Sequence, residues 1–196
     1  MSAPKAEIRI SRAWAMPNHH TFSVKPIREL LERHVSGHSL DPFANTARVA
    51  TITNDLNPDM ACDYTLDACV FLDRQPEASA DTILFDPPYS PRQVSECYKS
   101  FGRTATGKDT QAKFYADAKV AIARTCKPGG TALSFGWNSG GIGKKYGFAI
   151  TEILMVPHGG SHNDTICVVE TRTDVPFANL EMKWEDYPQY GKRGKN

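Results

Sequence analysis

The run Thr82-Ile83-Leu84-Phe85 passes directly into Asp86-Pro87-Pro88-Tyr89, and no other local pattern restricts the chain as tightly. The residues before Asp86 suit a buried strand, whereas two successive prolines fix φ and remove two backbone donors, so ladder pairing has to stop there. The strand therefore ends in a rigid turn. That turn presents acceptors: the carbonyls of Asp86 and Pro87 and the Asp86 carboxylate. An exocyclic amine is the kind of group such acceptors bind. Turn chemistry alone also favours Asp and Pro, so the position at a strand's carboxyl end carries the argument, because open α/β sheets bind ligands there.

Strand and helix signals alternate along the rest of the chain. Glu7 to Met16 alternates in character and reads as a strand, broken by Pro17-Asn18-His19-His20. Pro26 opens a helix over residues 26–35, with Ile27, Leu30, Leu31 and Val35 at helical spacing and Gly37 beyond its end. The β-branched run Val49 to Asn54 is a second strand, residues 66–72 form a short apolar segment, and Thr82 to Phe85 leads into the acceptor turn. From Thr110 to Cys126 the spacing of Phe114, Ala118, Ala121 and Ile122 predicts the longest helix, terminated by Lys127-Pro128-Gly129-Gly130. Thr131 to Trp137 is the next strand, and after the Gly-rich stretch Asn138 to Gly143 the runs Phe148 to Val156 and Thr165 to Thr171 form an antiparallel pair. This order predicts an α/β protein with a three-layer sheet, mostly parallel, with an antiparallel terminal hairpin at the edge. A chain of 196 residues is the length of one domain. We assign it residues 1–175, with 176–196 as a loosely packed C-terminal extension.

Charge and cysteine usage narrow the function classes. With 23 Lys+Arg against 22 Asp+Glu the net charge is +1, so any polyanion-binding surface has to be local. Between Ser90 and Phe114, Arg92, Lys99, Arg103, Lys108 and Lys113 stand against Glu96 and Asp109, with Tyr98 and Phe101 among them. Lys192, Arg193 and Lys195 form a second cluster. Each reads as a nucleic-acid contact or as a solvated face. Five cysteines without CxxC spacing argue against a disulfide framework and a zinc knuckle, and fit a reducing cytoplasm. No run approaches the ~18 apolar residues of a membrane span, so we expect a cytoplasmic protein with no membrane partner. His158 and His162 have no third ligand nearby in sequence, and no metal is expected.

Several segments, in order, resemble one family. Phe22-Ser23-Val24-Lys25-Pro26-Ile27, Leu40-Asp41-Pro42-Phe43, Asp55-Leu56-Asn57-Pro58, Asp67-Ala68 with Phe71-Leu72, and Asp86-Pro87-Pro88-Tyr89 are together similar to the motifs of S-adenosylmethionine-dependent DNA amino-methyltransferases of the adenine-N6 type. The match runs from about Thr21 to Thr171. It implies a Rossmann-like methyltransferase sheet and S-adenosyl-L-methionine as cofactor. It also implies a cofactor pocket built from Lys25, Asp41, Phe43, Asn45, Asp55, Asp67 and Ala68. Lys25 would pair the methionine carboxylate and Asp55 would take the ribose hydroxyls, for which a carboxylate is chemically suited. One departure stands out. The family follows Asp-Pro-Phe with a glycine-rich turn and a helix, but Ala44-Asn45-Thr46-Ala47-Arg48 has no glycine, and Asp55 lies only 14 positions after Asp41. A dinucleotide-type fold spends about 20 residues on this interval, so at most one helical turn fits.

The resemblance makes Asp86, Pro87, Pro88 and Tyr89 the catalytic turn, and acid at its first position is the family's adenine mark. Acceptors on both N6 protons localise the amine lone pair and stabilise charge as a methyl arrives. Tyr89 would stack on a base flipped out of the duplex. Trp137 and Asn138 follow the next strand and should overlook the same cleft, and His158 occupies the hairpin turn that the family places beside the flipped base. The Ser90–Ala112 segment is expected to be a long mobile loop whose Arg92, Lys99, Arg103 and Lys108 meet phosphates. DNA is thus the expected partner. RNA as substrate, and a non-catalytic nucleic-acid binder with a decayed cofactor site, remain as alternatives, and monomer and homodimer are both open.

Overall fold

The computed structural model describes residues 7–18, 20–102, 104–105, 112–160 and 162–173. Its strands are β1 (Arg9–Arg12), β2 (Ser39–Asp41), β3 (Ile52–Thr53), β4 (Ala80–Phe85), β5 (Cys126–Gly136), β6 (Phe148–Val156) and β7 (Thr165–Arg172). They form one sheet in the order β1-β6-β7-β5-β4-β2-β3. Every neighbouring pair is parallel except the two that involve β7. The terminal hairpin is therefore present, but β7 lies inside the sheet, between β6 and β5. The edges belong to β1 and β3.

The helices are α1 (Lys25–His34), α2 (Ala68–Arg74), α3 (Pro91–Ser100) and α4 (Ala112–Thr125). They cover both faces, and the pleat of the central strands decides which side chain meets which helix. On β4, Ile83 and Phe85 join one core with Phe71 and Leu72 of α2 and Ala118, Ala121 and Ile122 of α4. Leu84 points the other way, into a second core with Ile27, Leu30 and Leu31 of α1 and with Leu133, Phe135 and Val169 of the neighbouring strands. Three layers follow.

Several boundaries differ from the sequence reading. Only Arg9–Arg12 of the first run is strand, although Ala13 and Ala15 continue to donate to Met155 and Pro157 carbonyls. The Val49 to Asn54 run shrinks to Ile52–Thr53, because its partner β2 offers only Leu40 and Asp41 for pairing. Residues 66–72 belong mostly to α2, whose start is fixed by Asp67: its carboxylate accepts from the amides of Cys69 (2.8 Å) and Val70 (3.4 Å). Lys127-Pro128-Gly129-Gly130 does not separate helix from strand. β5 begins at Cys126, and these residues loop out between the Ala80–Cys126 and Thr82–Thr131 pairings. Beyond β5, the buried Glu170 accepts from the amides of Ile142 (2.5 Å) and Gly143 (2.8 Å) and so ties down the Gly-rich stretch. The last twenty-odd residues, including the expected extension, lie outside the described residues.

Candidate active site

β4 delivers Asp86 to the carboxyl end of the sheet, and the diproline turn folds Tyr89 back over it. The Tyr89 hydroxyl donates to Asp86 Oδ1. Burial pushes the Asp86 carboxyl up to about 6, and the hydroxyls of Tyr89 and Thr21 hold it from rising further. Burial and the neighbouring Asp86 push the Tyr89 phenol well up, so it stays protonated and acts as the donor. Trp137, 42% exposed, stands edge-on to the Tyr89 ring with centroids 5.6 Å apart.

The turn opens into a cavity of about 680 Å³, within the range typical of small-molecule sites. Asp86, Pro87, Pro88 and Tyr89 line one part of it, and Phe43, Asn45, Asp55, Asp67 and Ala68 line another. Between β2 and β3 there is no helix. Asn45 instead adopts φ 47°, the left-handed conformation that glycine normally supplies and that Asn tolerates best among side chains with a Cβ. Its amide donates to Asp55 Oδ2 (2.9 Å), and Asp55 Oδ1 accepts from the Asn57 amide (2.8 Å). The Arg48 guanidinium then staples the segment, donating to the carbonyls of Asn45 (3.0 Å), Ala47 (2.5 Å) and Met60. Behind this wall Asp41 is fully buried; its Oδ1 accepts from the Phe43 amide (3.0 Å) and its Oδ2 has no partner. Burial, with added repulsion from Asp86 and Asp55, pushes Asp41 up to about 8 despite the Phe43 bond.

No family model and no curated protein matches the chain. Solved structures do resemble it. TrmN from Thermus thermophilus superposes with a TM-score of 0.52 at 16% identity, over 76% of this chain and 49% of its own. SMU.776, described as a methyltransferase and complexed with SAH, gives 0.51 at 13% identity, over 74% and 48%. The N-methyltransferase NodS from Bradyrhizobium japonicum gives 0.50 at 10% identity, over 76% and 96%. The fold is the Rossmann-like methyltransferase fold. The chain spans about half the length of TrmN and SMU.776, and nearly all of NodS.

Within this fold the expected site residues separate clearly. The four residues of the Asp86–Tyr89 turn and five of the seven cofactor candidates share the cavity, and Asp41 lies behind it. Lys25 does not belong there: it is exposed on the first turn of α1 and pairs along the helix with Glu29 at 3.9 Å. The Ser90–Ala112 segment is not a simple loop. Its first ten residues after Ser90 form α3, capped by the Ser90 hydroxyl, which accepts from the Gln93 amide at 3.2 Å. One face of α3 (Gln93, Val94, Cys97) lines the cavity, while Arg92 and Lys99 are exposed, with Arg92 held by Glu96 at 2.8 Å. Arg103 and Lys108 lie outside the described residues.

Asn138 is outside the cavity lining and accepts from the Gly140 amide at 2.9 Å. His158 is a buried fastener and not part of the cavity: Nδ1 donates to the Ala15 carbonyl, and Nε2 then accepts from the Thr165 hydroxyl, both at 2.9 Å. The ring ties the chain beyond β1 to the start of β7. Sequence reasoning missed Thr21, Arg48, Gln93 and Tyr115. Only Gln93 carried a readable signal, the Ser-x-x-Gln spacing of a capping box. Among the described residues no helix is long and apolar enough to cross a membrane, and no group of three His, Cys, Asp or Glu side chains is placed to hold a metal ion.

Proposed function

We propose that the protein is an S-adenosylmethionine-dependent methyltransferase acting on the exocyclic N6 amine of adenine in DNA. One observation carries the reading: the Asp-Pro-Pro-Tyr turn and a carboxylate-bearing, apolar-walled subsite share a single cavity. The folds of TrmN, SMU.776 and the N-methyltransferase NodS support the reaction class, and the SAH bound to SMU.776 supports the cofactor.

The residues fit this cofactor. Asp55 spends one lone pair of each oxygen on a backbone amide, and a carboxylate has about four acceptor positions, so two remain for a ribose diol. Phe43, Leu66 and Ala68 give an apolar bed for a purine. The carboxylates of Asp55 and Asp86, which line the cavity, suit a ligand that carries sulfonium and ammonium charge. Once bound, the cofactor supplies an activated methyl group. The chain's own part is positioning and charge. Asp86 and the Pro87 carbonyl accept the two N6 protons and turn the amine lone pair outward, while the Tyr89 hydroxyl fixes the carboxylate. The adenine must leave the duplex to reach this depth, with the Tyr89 ring as its stacking surface. Arg92 and Lys99, exposed on α3, would then meet phosphates.

The test is methyl transfer to matched DNA and RNA oligonucleotides. N6-methyladenine in DNA is the expected product. Asp86→Ala should abolish it while changing cofactor affinity by less than about tenfold, because the lost acceptor serves the amine more than the cofactor. Product only in RNA would change the substrate. Failure of S-adenosylmethionine to bind in a calorimetric titration would favour the non-catalytic binder.

A further inference from the structure

The acceptor turn contains one peptide unit with an N–H, the bond between Pro88 and Tyr89. Both of its polar atoms are taken by side chains from outside the turn. The Tyr115 hydroxyl, on α4, donates to the Pro88 carbonyl at 2.6 Å. The Tyr89 amide donates to Gln93 Oε1, on α3, at 2.7 Å. Tyr115 is anchored in turn by Phe114, with ring centroids 5.5 Å apart, and Phe114 packs edge-on against Phe43 at 6.4 Å.

We infer that Tyr115 and Gln93 are positioning residues that clamp the Pro88–Tyr89 peptide plane and so aim the groups on either side of it. This rests on the reading of the turn as the amine-binding site. The two prolines leave little freedom upstream, since φ is fixed at both. The free rotations left in the turn are ψ of Pro87, ψ of Pro88 and φ of Tyr89. The last two set the Pro88–Tyr89 unit, and holding that unit at both ends also restricts ψ of Pro87, which aims the Pro87 carbonyl. A side chain at each end of that unit stops it from rocking. Without the clamp, the Pro87 carbonyl and the Tyr89 ring lose their fixed relation to Asp86, and a misplacement of about 1 Å can cost about 100-fold in rate. The clamp also spans the cavity: its α4 member reaches Phe43 on the cofactor side through Phe114, and its α3 member lines the cavity beside the turn.

Tyr115→Phe removes one oxygen and keeps the ring; Gln93→Leu removes the acceptor, and Gln93→Glu keeps it. Two readouts decide the matter. The first is steady-state methyl transfer, where both disruptive variants should lose about 10- to 100-fold in kcat with cofactor affinity within about threefold, and Gln93→Glu should stay near wild type. The second needs no cofactor or substrate. In a protein with Trp14 and Trp184 replaced by Phe, Trp137 emission reports the Tyr89 ring beside it, and Tyr115→Phe and Gln93→Leu should shift its maximum and lower its anisotropy. A side chain that merely caps α3 or fills space would lower the melting temperature and leave kcat and Trp137 emission unchanged, and that result overturns the clamp. So does a Gln93→Glu variant as impaired as Gln93→Leu, which would mean that the Gln93 amide N–H acts directly on substrate. If the wild type transfers no methyl group at all, the proposed function falls, and the Trp137 signal by itself then decides whether the clamp exists.

Discussion

Asp41 carries a carboxyl with no exposure, one bond to the Phe43 amide and a second oxygen without a partner. Raised from 3.8 to about 8, it holds its proton in the folded protein at neutral pH and loses it in the unfolded chain. The folded state thus binds the extra proton, and the stability associated with Asp41 is complete below pH 3.8 and drains away as pH rises to about 8. Asparagine imitates the neutral acid in shape and does not titrate. The melting temperature of Asp41→Asn, minus that of the wild type, should therefore increase steadily between those two pH values, and a difference independent of pH would show that Asp41 is ionised in the fold. Asp41 was legible in the sequence as a polar tip after an apolar strand, as were Asp55 and Asp86. Its missing partner was not, because solvation at that point depends on Asp86 and Asp55 arriving from elsewhere in the chain.

At the scale of elements, the segment between β2 and β3 replaces a helix with a stapled loop. Asn45 provides the left-handed backbone, and Arg48 gathers the carbonyls of Asn45, Ala47 and Met60. Losing the guanidinium releases Asn45, and with it one of the two amides that orient Asp55. Arg48→Leu should weaken S-adenosylmethionine binding by about 1–3 kcal/mol, the scale of disrupting hydrogen bonds to a charged group, as read by calorimetry, while the far-UV circular dichroism stays unchanged. An unaltered dissociation constant would place the ribose away from Asp55. The shortness of this interval was visible in the sequence; the staple was not, since it joins Arg48 to Met60 across a turn. α3 was hidden for a different reason. Its helical face rests on Val94, Cys97 and Tyr98, and the Ser, Lys and Gly residues around them mimic loop composition. Lys25 and His158 lie outside the cavity lining because their destinations follow from helix rotation and from the β1–β6 pairing, neither of which is a local property.

The whole molecule has almost no net charge, +1 over 196 residues, so its net charge does not draw in a polyanion, and the proposed DNA affinity would come from a few local contacts. Among the described residues, Arg92 and Lys99 on the exposed side of α3 are beside the cavity. Replacing both with alanine should lower the slope of log affinity against log salt by about 1 to 2, uniformly across DNA sequences and without altering cofactor binding. Arg92 contributes less than a free cation because Glu96 already holds it. An unchanged slope would make the outer face of α3 a bystander. The position of β7 has a consequence of another kind. It alone joins the β1–β6 pair to the four strands β5-β4-β2-β3, yet it follows every one of its partners in the chain. A ribosome therefore delivers this sheet as two separate pieces, each with an open strand edge that invites foreign pairing. The seam between them can close only when Arg172 has cleared the exit tunnel, so the β5 edge, made by Gly136, waits unpaired until the end of β7 emerges.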